Sequence, residues 1–209
     1  MIAPPERSPE RDAVIEALLP RVPELGWTQA ALRAALGDIG GDPLDADLLF
    51  PGGAADLVEA FIDLADRRME AAAATAEFES RSLPGRVRAL IAERFEQNRP
   101  HKAAIRRALA VLARPRNAAT AARCTARTVD AIWFAAGDRT SDFSWYTKRA
   151  SLAAIYSATL LFWLRDMDED DAATLAFLDR RLKGIGRVAK LRRRIEERCT
   201  RIWPARQAA

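Results

Sequence analysis

Histidine and cysteine are scarce in this chain of 209 residues, which contains one His and two Cys. A single histidine, His101, excludes zinc sites with several histidines, and its position after Pro100 favours a solvated or capping residue. Cys124 and Cys199 form no CxxC motif and no disulfide framework. The sequence also holds no phosphate-binding loop and no Glu-x-x-His pair of the di-iron type. We therefore predict no metal ion, no cofactor and no catalytic site.

Long apolar runs are absent as well. The longest uncharged segment has fifteen residues, between Arg149 and Arg165, and it includes Ser151, Ser157 and Thr159. A membrane-spanning helix needs about 20 apolar residues, so this segment predicts a buried helix in a soluble protein. The first twenty residues mix acids and bases without an apolar run. We therefore expect no secretory signal and a cytoplasmic location.

Signals for β-strands are missing too, since the chain has no alternating Val, Ile or Thr runs and no Asn-Gly hairpins. Its periodic segments are helical and are bounded by proline and glycine. The pattern predicts an all-α bundle of nine to ten helices, divided into residues 1–53, 54–183 and 184–209. Residues 150–164 are apolar nearly all round, so we expect this helix in the middle of the bundle. Four acids are expected to form a solvated face: Asp66, Glu70, Glu77 and Glu79.

The net charge of +4 hides an uneven distribution. Residues 180–206 hold eleven Arg or Lys and two Glu, whereas the rest of the chain has a net charge of −5. An apolar stripe at spacings of three and four runs through this basic segment, which favours an amphipathic helix at an anionic membrane surface. The alternative is a helix packed against an acidic protein surface. The residues expected to contact the membrane are Ile185, Val188, Leu191, Arg194, Ile195, Arg198, Ile202 and Trp203.

The stretch GWTQAALRAALGDIGGDPLDADLLFPGGAADLVEAF, residues 26–61, has the spacing of a helix-turn-helix. It resembles the N-terminal module of TetR-type regulators, which makes a DNA-binding regulator with an apolar ligand pocket one hypothesis. Eight acids and no base lie between Arg33 and Arg67. The helix expected to read the DNA groove carries Asp45 and Asp47, where phosphate and base contacts require donors. We therefore predict a degenerate module and no nucleic-acid partner.

A second resemblance is carried by AGDRTSDFSWYTKRASLAAIYSATLLFWLRD, residues 136–166, followed ten residues later by FLDRRL. This stretch strongly resembles the coenzyme Q accessory family, the Coq nine proteins of ubiquinone biosynthesis. Weaker similarity reaches back to LPRVPELGW, so about residues 9–185 are covered. The resemblance implies a TetR-like fold that has lost DNA binding. It also implies a body that binds isoprenoid lipid, a partner hydroxylase, and a C-terminal amphipathic helix at membranes.

The resemblance assigns roles to particular residues. It implies that Trp145 and Tyr146, extended by Ile132, dock the hydroxylase; the alternative is that these aromatic side chains cap the core. It also makes a lipid cavity as plausible as a filled core for one set of apolar residues. That set is Phe95, Leu109, Leu112, Trp133, Leu152, Ile155, Tyr156, Leu160 and Trp163.

These observations combine into one expected function. We expect a non-enzymatic, lipid-binding accessory protein that presents isoprenoid quinone intermediates to a ubiquinone-pathway hydroxylase. Its ligand is an isoprenoid quinone or a phospholipid, and we expect a homodimer. Mitochondrial members of the family carry a transit peptide, which we do not find, and the use of 29 Arg and 4 Lys suits a bacterium of high GC content. The expected location is therefore cytoplasmic, peripheral to the inner face of the cell membrane.

The acidic helix-turn-helix generates a first prediction. In a gel-shift assay with the gene's own upstream region at about 50 mM salt, we expect no retarded band, because low salt maximises the phosphate contribution that this module lacks. Saturable, sequence-selective binding would restore the regulator hypothesis.

Overall fold

The computed structural model of the chain describes residues 3–73, 76–138, 144–168 and 170–184. These residues form α-helices and short 3-10 turns with no β-strand, which confirms the predicted all-α class. The chain divides into two compact units, Met1–Tyr156 and Ser157–Ala209. The helices are α1 (Pro9–Leu18), α2 (Val22–Leu25), α3 (Gln29–Asp38), α4 (Ala46–Leu49), α5 (Gly53–Ala72), α6 (Ala76–Glu79), α7 (Leu83–Asn98), α8 (Lys102–Leu112), α9 (Ala118–Ala135), α10 (Ser144–Trp163) and α11 (172–184).

Capping residues start the helices of the N-terminal module. The hydroxyls of Ser8 and Thr28 accept hydrogen bonds from the backbone N–H groups of Arg11 (3.1 Å) and Ala31 (3.2 Å). Proline occupies the first turn of α1, where a backbone N–H would have no acceptor within the helix, so its absence costs no hydrogen bond. Because α1 packs against both α3 and α5, this module shares its core with the helices that follow.

The element in the position of a DNA-reading helix is short. A 3-10 turn at Pro43–Asp45 leads into α4, which has four residues. Asp47 on α4 pairs with Arg33 of α3 at 2.9 Å. Leu44 and Leu48 are 80% and 79% exposed. This element therefore presents carboxylates and leucines to solvent.

α5 is the helix around which the first unit is built, since α1, α7, α8 and α9 all pack against it. Its apolar side is buried and includes Leu57, Val58, Phe61, Leu64 and Met69. A second side carries five acids at intervals of three and four residues, which places them along one face of the helix. We call this face the acid stripe; it comprises Asp56, Glu59, Asp63, Asp66 and Glu70.

Arginines from four other parts of the chain reach the acid stripe. Asp63 and Asp66 are only 4% and 6% exposed. The expectation of a solvated face is therefore wrong for Asp66, because a buried guanidinium takes the place of water as its partner. The pairs are Arg11–Asp56 (2.8 Å), Arg127–Glu59 (2.7 Å), Arg7–Asp63 (2.6 Å) and Arg94–Asp66 (2.8 Å).

α10 is more exposed than its apolar composition predicts. Tyr146 and Leu161 are 73% and 55% exposed. Ala150, Ala154 and Ser157 lie on the same face and are also exposed. The expected burial on all sides is wrong for this face, whose middle part consists of the small side chains of Ala150, Ala154 and Ser157 and therefore has little apolar area to bury.

Neither a membrane span nor a metal site is present in the described part of the chain. No helix there is long and apolar enough to cross a bilayer. The same residues include no group of three or more His, Cys, Asp or Glu side chains placed to hold a metal ion.

A second prediction concerns Arg11, whose side chain is 4% exposed. Its guanidinium donates hydrogen bonds to Asp56 and to the Leu49 carbonyl and lies 4.1 Å from the centroid of the Phe50 ring. Arg11→Met keeps the aliphatic packing but removes the donor of the Leu49 carbonyl and the cation of Asp56, which retains only the backbone N–H of Gly52 as a donor. We expect a loss of about 2–4 kcal/mol of stability in urea unfolding.

Arg33→Met is the matched control, because it removes a pair whose arginine side chain is 51% exposed and is screened by solvent. Equal unfolding midpoints for the two variants would contradict a structural role for the buried pair.

Candidate functional site

Three aromatic side chains form an exposed cluster at the end of α9 and the start of α10, which we call the aromatic patch. Phe134 and Tyr146 are 75% and 73% exposed. Trp145 is half-buried, and its ring meets that of Tyr146 edge to face, with centroids 4.7 Å apart. Large exposed aromatic side chains are typical anchors of protein interfaces, so this cluster is the candidate docking surface.

Trp145 is held in place by an ion pair between the two helices. The Arg149 guanidinium lies 3.7 Å from the centroid of the Trp145 ring. The Nε of Arg149 also donates a hydrogen bond to the Asp130 carboxylate on α9. Because Arg149 contacts both Trp145 and Asp130, contacts within the chain orient the indole ring.

An apolar groove of about 550 Å³ runs between α9 and α10 on one side of Trp145. The Thr125 hydroxyl in its wall donates to the Ala121 carbonyl at 3.0 Å, so it offers no free donor to a ligand. The charged groups are Asp130 and Arg149, which lie beside Trp145. The groove is therefore suited to an apolar chain. Its lining is Ala121, Ala122, Thr125, Ala126, Val129, Asp130, Trp145, Arg149, Ala150 and Ala153.

A charged cleft of about 510 Å³ shares Trp145, Arg149 and Asp130 with the groove. These three residues therefore form a common wall between an apolar space and a polar one. The other residues that line the cleft come from α5, α9, the turn after α9 and the N-terminal segment. They are Pro4, Arg7, Asp63, Asp66, Arg67, Glu70, Arg127, Ala131, Phe134 and Asp138.

Burial raises the pKa of two acids in the cleft. The pKa of Asp66 rises to about 6, because desolvation outweighs the attraction of Arg94 and the hydrogen bond from Thr128. Burial also raises the pKa of Glu70, against the opposing attraction of Arg7.

Beside the cleft, burial and then Glu59 raise the pKa of Cys124 to about 11. This thiol is therefore protonated at neutral pH and is not an activated nucleophile.

The residues predicted to line a lipid cavity do not line the groove or the cleft. Phe95 and Tyr156 stack with ring centroids 6.1 Å apart, and the Nε of Arg94 donates to the Tyr156 hydroxyl at 2.8 Å. In addition to these two aromatic residues, Leu152, Ile155 and Trp163 are buried. Those that retain some exposure are Leu109, Leu112, Trp133 and Leu160.

Ile132 does not extend the aromatic patch. It has no exposed surface and lies in the core, so the structure contradicts its expected place on a docking surface. Val129, Ile132 and Ala136 are all buried at helical spacing. Phe134 lies off this stripe and is the exposed residue that we did not predict from the sequence; the same spacing could have identified it.

The basic C-terminal segment, including all eight residues expected to contact a membrane, lies outside the described residues.

Comparison with known proteins places the chain in a family. The COQ9 family model matches residues 118–189, which include α9, α10 and the groove between them. The ubiquinone biosynthesis protein coq9, mitochondrial, of Schizosaccharomyces pombe is 31% identical over 193 residues, which cover 91% of this chain and 75% of that protein. The chain belongs to the COQ9 family.

Other relatives support membership of the same family. The probable ubiquinone biosynthesis protein coq9 of Dictyostelium discoideum is 30% identical over 88% of this chain, and the Homo sapiens COQ9 protein is 29% identical over 85%. The chain spans 62% and 58% of the length of these two proteins. Each relative is named as mitochondrial, so the expected cytoplasmic location at the inner face of the cell membrane is wrong. The relatives are eukaryotic, and a bacterial source stays a prediction.

The fold is also confirmed by comparison. A TetR transcriptional regulator from Nitrosomonas europaea superimposes with a TM-score of 0.68 over 84% of this chain and 97% of its own, at 24% identity. This likeness establishes the predicted TetR-like fold of the chain.

Proposed function

We propose that this COQ9-family chain acts in ubiquinone biosynthesis as a non-enzymatic accessory protein. It holds the isoprenoid tail of a quinone intermediate and presents the head group to a hydroxylase. The observation that carries the proposal is the position of Trp145, which belongs both to the wall of an apolar groove and to an exposed aromatic patch. Membership of a family whose members are named for ubiquinone biosynthesis supports the same pathway.

The groove between α9 and α10 is the proposed lipid site. An isoprenoid tail is a purely apolar chain, and burying it against alanine side chains releases water at a gain of roughly 25 cal/mol per Å². The Asp130–Arg149 pair at the end beside Trp145 supplies polar groups for a quinone ring. A phospholipid acyl chain has similar chemistry and is the alternative ligand.

The aromatic patch is the proposed docking surface for the hydroxylase. Trp145 is oriented by Arg149, so little side-chain freedom is lost when a partner covers it. Since the same ring borders the groove, a hydroxylase bound there would meet the lipid at the groove's polar end.

Two further proposals concern assembly. The basic segment 185–209 holds the chain at an anionic membrane, which vesicle co-sedimentation with and without this segment would test. The chain forms a homodimer, which sedimentation equilibrium would test; a single 23.1 kDa species would overturn it.

A TetR-type regulator remains the rival function, because the fold is shared with one. The one-turn, acidic α4 argues against it, since it offers carboxylates and leucines where a DNA groove requires donors.

The third prediction tests the groove. Ala126→Phe places a ring in the space proposed for the lipid, so isoprenoid that co-purifies with the protein should fall on the order of tenfold. The measurement is lipid extraction followed by mass spectrometry. Ala119→Phe is the matched control, because Ala119 lies on the same helix, is exposed and does not line the groove.

Unchanged lipid content in Ala126→Phe would exclude the groove. The packed set around Phe95 and Tyr156 would then become the lipid site to examine.

The fourth prediction tests the patch. Trp145→Ala should weaken binding to the hydroxylase by about 2 kcal/mol or more, as expected for an interface hot spot. The melting temperature should change little, because the side chain is only half-buried. Calorimetric titration and thermal unfolding are the two measurements. A steep loss of melting temperature with unchanged affinity per folded molecule would show that Trp145 belongs to the core.

A further inference from the structure

In the part of the chain that the structure describes, three arginines lie over an aromatic ring and pair with an acid at the same time. Arg11 lies 4.1 Å from the Phe50 centroid, Arg94 lies 5.9 Å from the Tyr156 centroid, and Arg149 lies 3.7 Å from the Trp145 centroid. Their acids are Asp56, Asp66 and Asp130. The first unit therefore repeats one arrangement of ring, guanidinium and carboxylate.

One further aromatic ring and carboxylate lie in the same cleft, and no cation of the described residues pairs with them. Phe134 and Glu70 both line the charged cleft. Among the described residues, no cation lies over the Phe134 ring, which is 75% exposed. Within that same part of the chain, Glu70 forms no ion pair and no hydrogen bond, although it is half-buried.

The arginines already in the cleft are committed to other acids. Arg7 pairs with Asp63, Arg127 pairs with Glu59, and Arg149 pairs with Asp130. Arg67 pairs with both Asp12 and Asp63. The acids of the cleft other than Glu70 all have a cation as partner, since Asp66 pairs with Arg94 and Asp138 pairs with Lys148.

We propose that Phe134 and Glu70 form a receptor for an arginine side chain of the partner, with its guanidinium over the Phe134 ring and paired with the Glu70 carboxylate. This inference rests on the proposed docking of a hydroxylase at the aromatic patch, and it specifies the chemistry that the partner must supply.

Arginine fits this position better than lysine. A guanidinium is planar, stacks on an aromatic face and can bind a carboxylate through two parallel N–H groups. A lysine ammonium is a compact and strongly hydrated charge that makes neither arrangement so well. Among the described residues, three of the four cations that lie over a ring and pair with an acid are arginines; the fourth is Lys148, which lies 5.8 Å from the Trp133 centroid and pairs with Asp138. Burial raises the pKa of Glu70, so an arriving cation would relieve an unfavourable charge in the cleft.

The test is calorimetric titration of the full chain with the purified ubiquinone-pathway hydroxylase of the same organism. We expect Glu70→Gln to weaken binding about tenfold at low salt, with a smaller difference at high salt because screening weakens the wild-type pair. Phe134→Leu should weaken binding on the order of threefold to tenfold. Glu96→Gln is the matched control, since Glu96 is an exposed glutamate of α7 outside the cleft.

An arginine-to-alanine scan of the hydroxylase surface, in wild-type and Glu70→Gln backgrounds, identifies the partner residue. One arginine should lose most of its effect once Glu70 is replaced. Replacement of that arginine by lysine should restore only part of the affinity. Absence of any such arginine would overturn the inference.

The outcomes separate this inference from the docking proposal. If Trp145→Ala weakens binding while Glu70→Gln and Phe134→Leu match Glu96→Gln, the arginine receptor is overturned and the docking surface stands. If Trp145→Ala also leaves affinity unchanged, the docking proposal fails and the receptor fails with it. Melting temperatures of all variants, measured alongside, show whether a loss of affinity reflects loss of fold.

Discussion

The pairing of the acid stripe of α5 with arginines from elsewhere in the chain is the constraint on which the first unit depends. Arg11 comes from α1, Arg94 from α7, Arg127 from α9 and Arg7 from the N-terminal segment. Buried ion pairs add little net stability, because desolvation of both charges offsets their attraction. A shift of α1, α7 or α9 along α5 would separate the buried guanidinium of Arg11, Arg94 or Arg127 from its acid. The apolar side of α5 supplies the stability, while the stripe fixes the register.

The same stripe leads into the proposed binding surface. Its first four acids all pair with arginines of the chain, and the fifth, Glu70, lines the charged cleft together with Phe134. Asp130 and Arg149 repeat the pairing between α9 and α10 and hold Trp145 in place. One kind of interaction therefore fixes the helices and also orients the aromatic patch.

Local features were predictable from the sequence and distant pairings were not. The caps at Ser8 and Thr28 follow from residue type and spacing, because both partners lie within one helical turn. Arg94 and Asp66 are separated by 28 residues and meet only through the packing of α5 on α7. The spacing of the acids did signal a single face, but solvated and paired faces share that spacing. In α9, the spacing of Val129, Ile132 and Ala136 was sufficient to separate buried Ile132 from exposed Phe134.

The acids of the helix-turn-helix region are not all free negative charges that repel DNA phosphates. Asp38, Asp47 and Asp56 pair with Arg21, Arg33 and Arg11. Their charge is largely compensated within the chain. What disfavours DNA is the shape of this element, because the 3-10 turn exposes Leu44 and the single turn of α4 exposes Leu48 where a groove-reading helix presents hydrogen-bond donors. In this TetR-like fold, the shortened element therefore lies in the N-terminal module, while the apolar groove lies between α9 and α10 of the helical body.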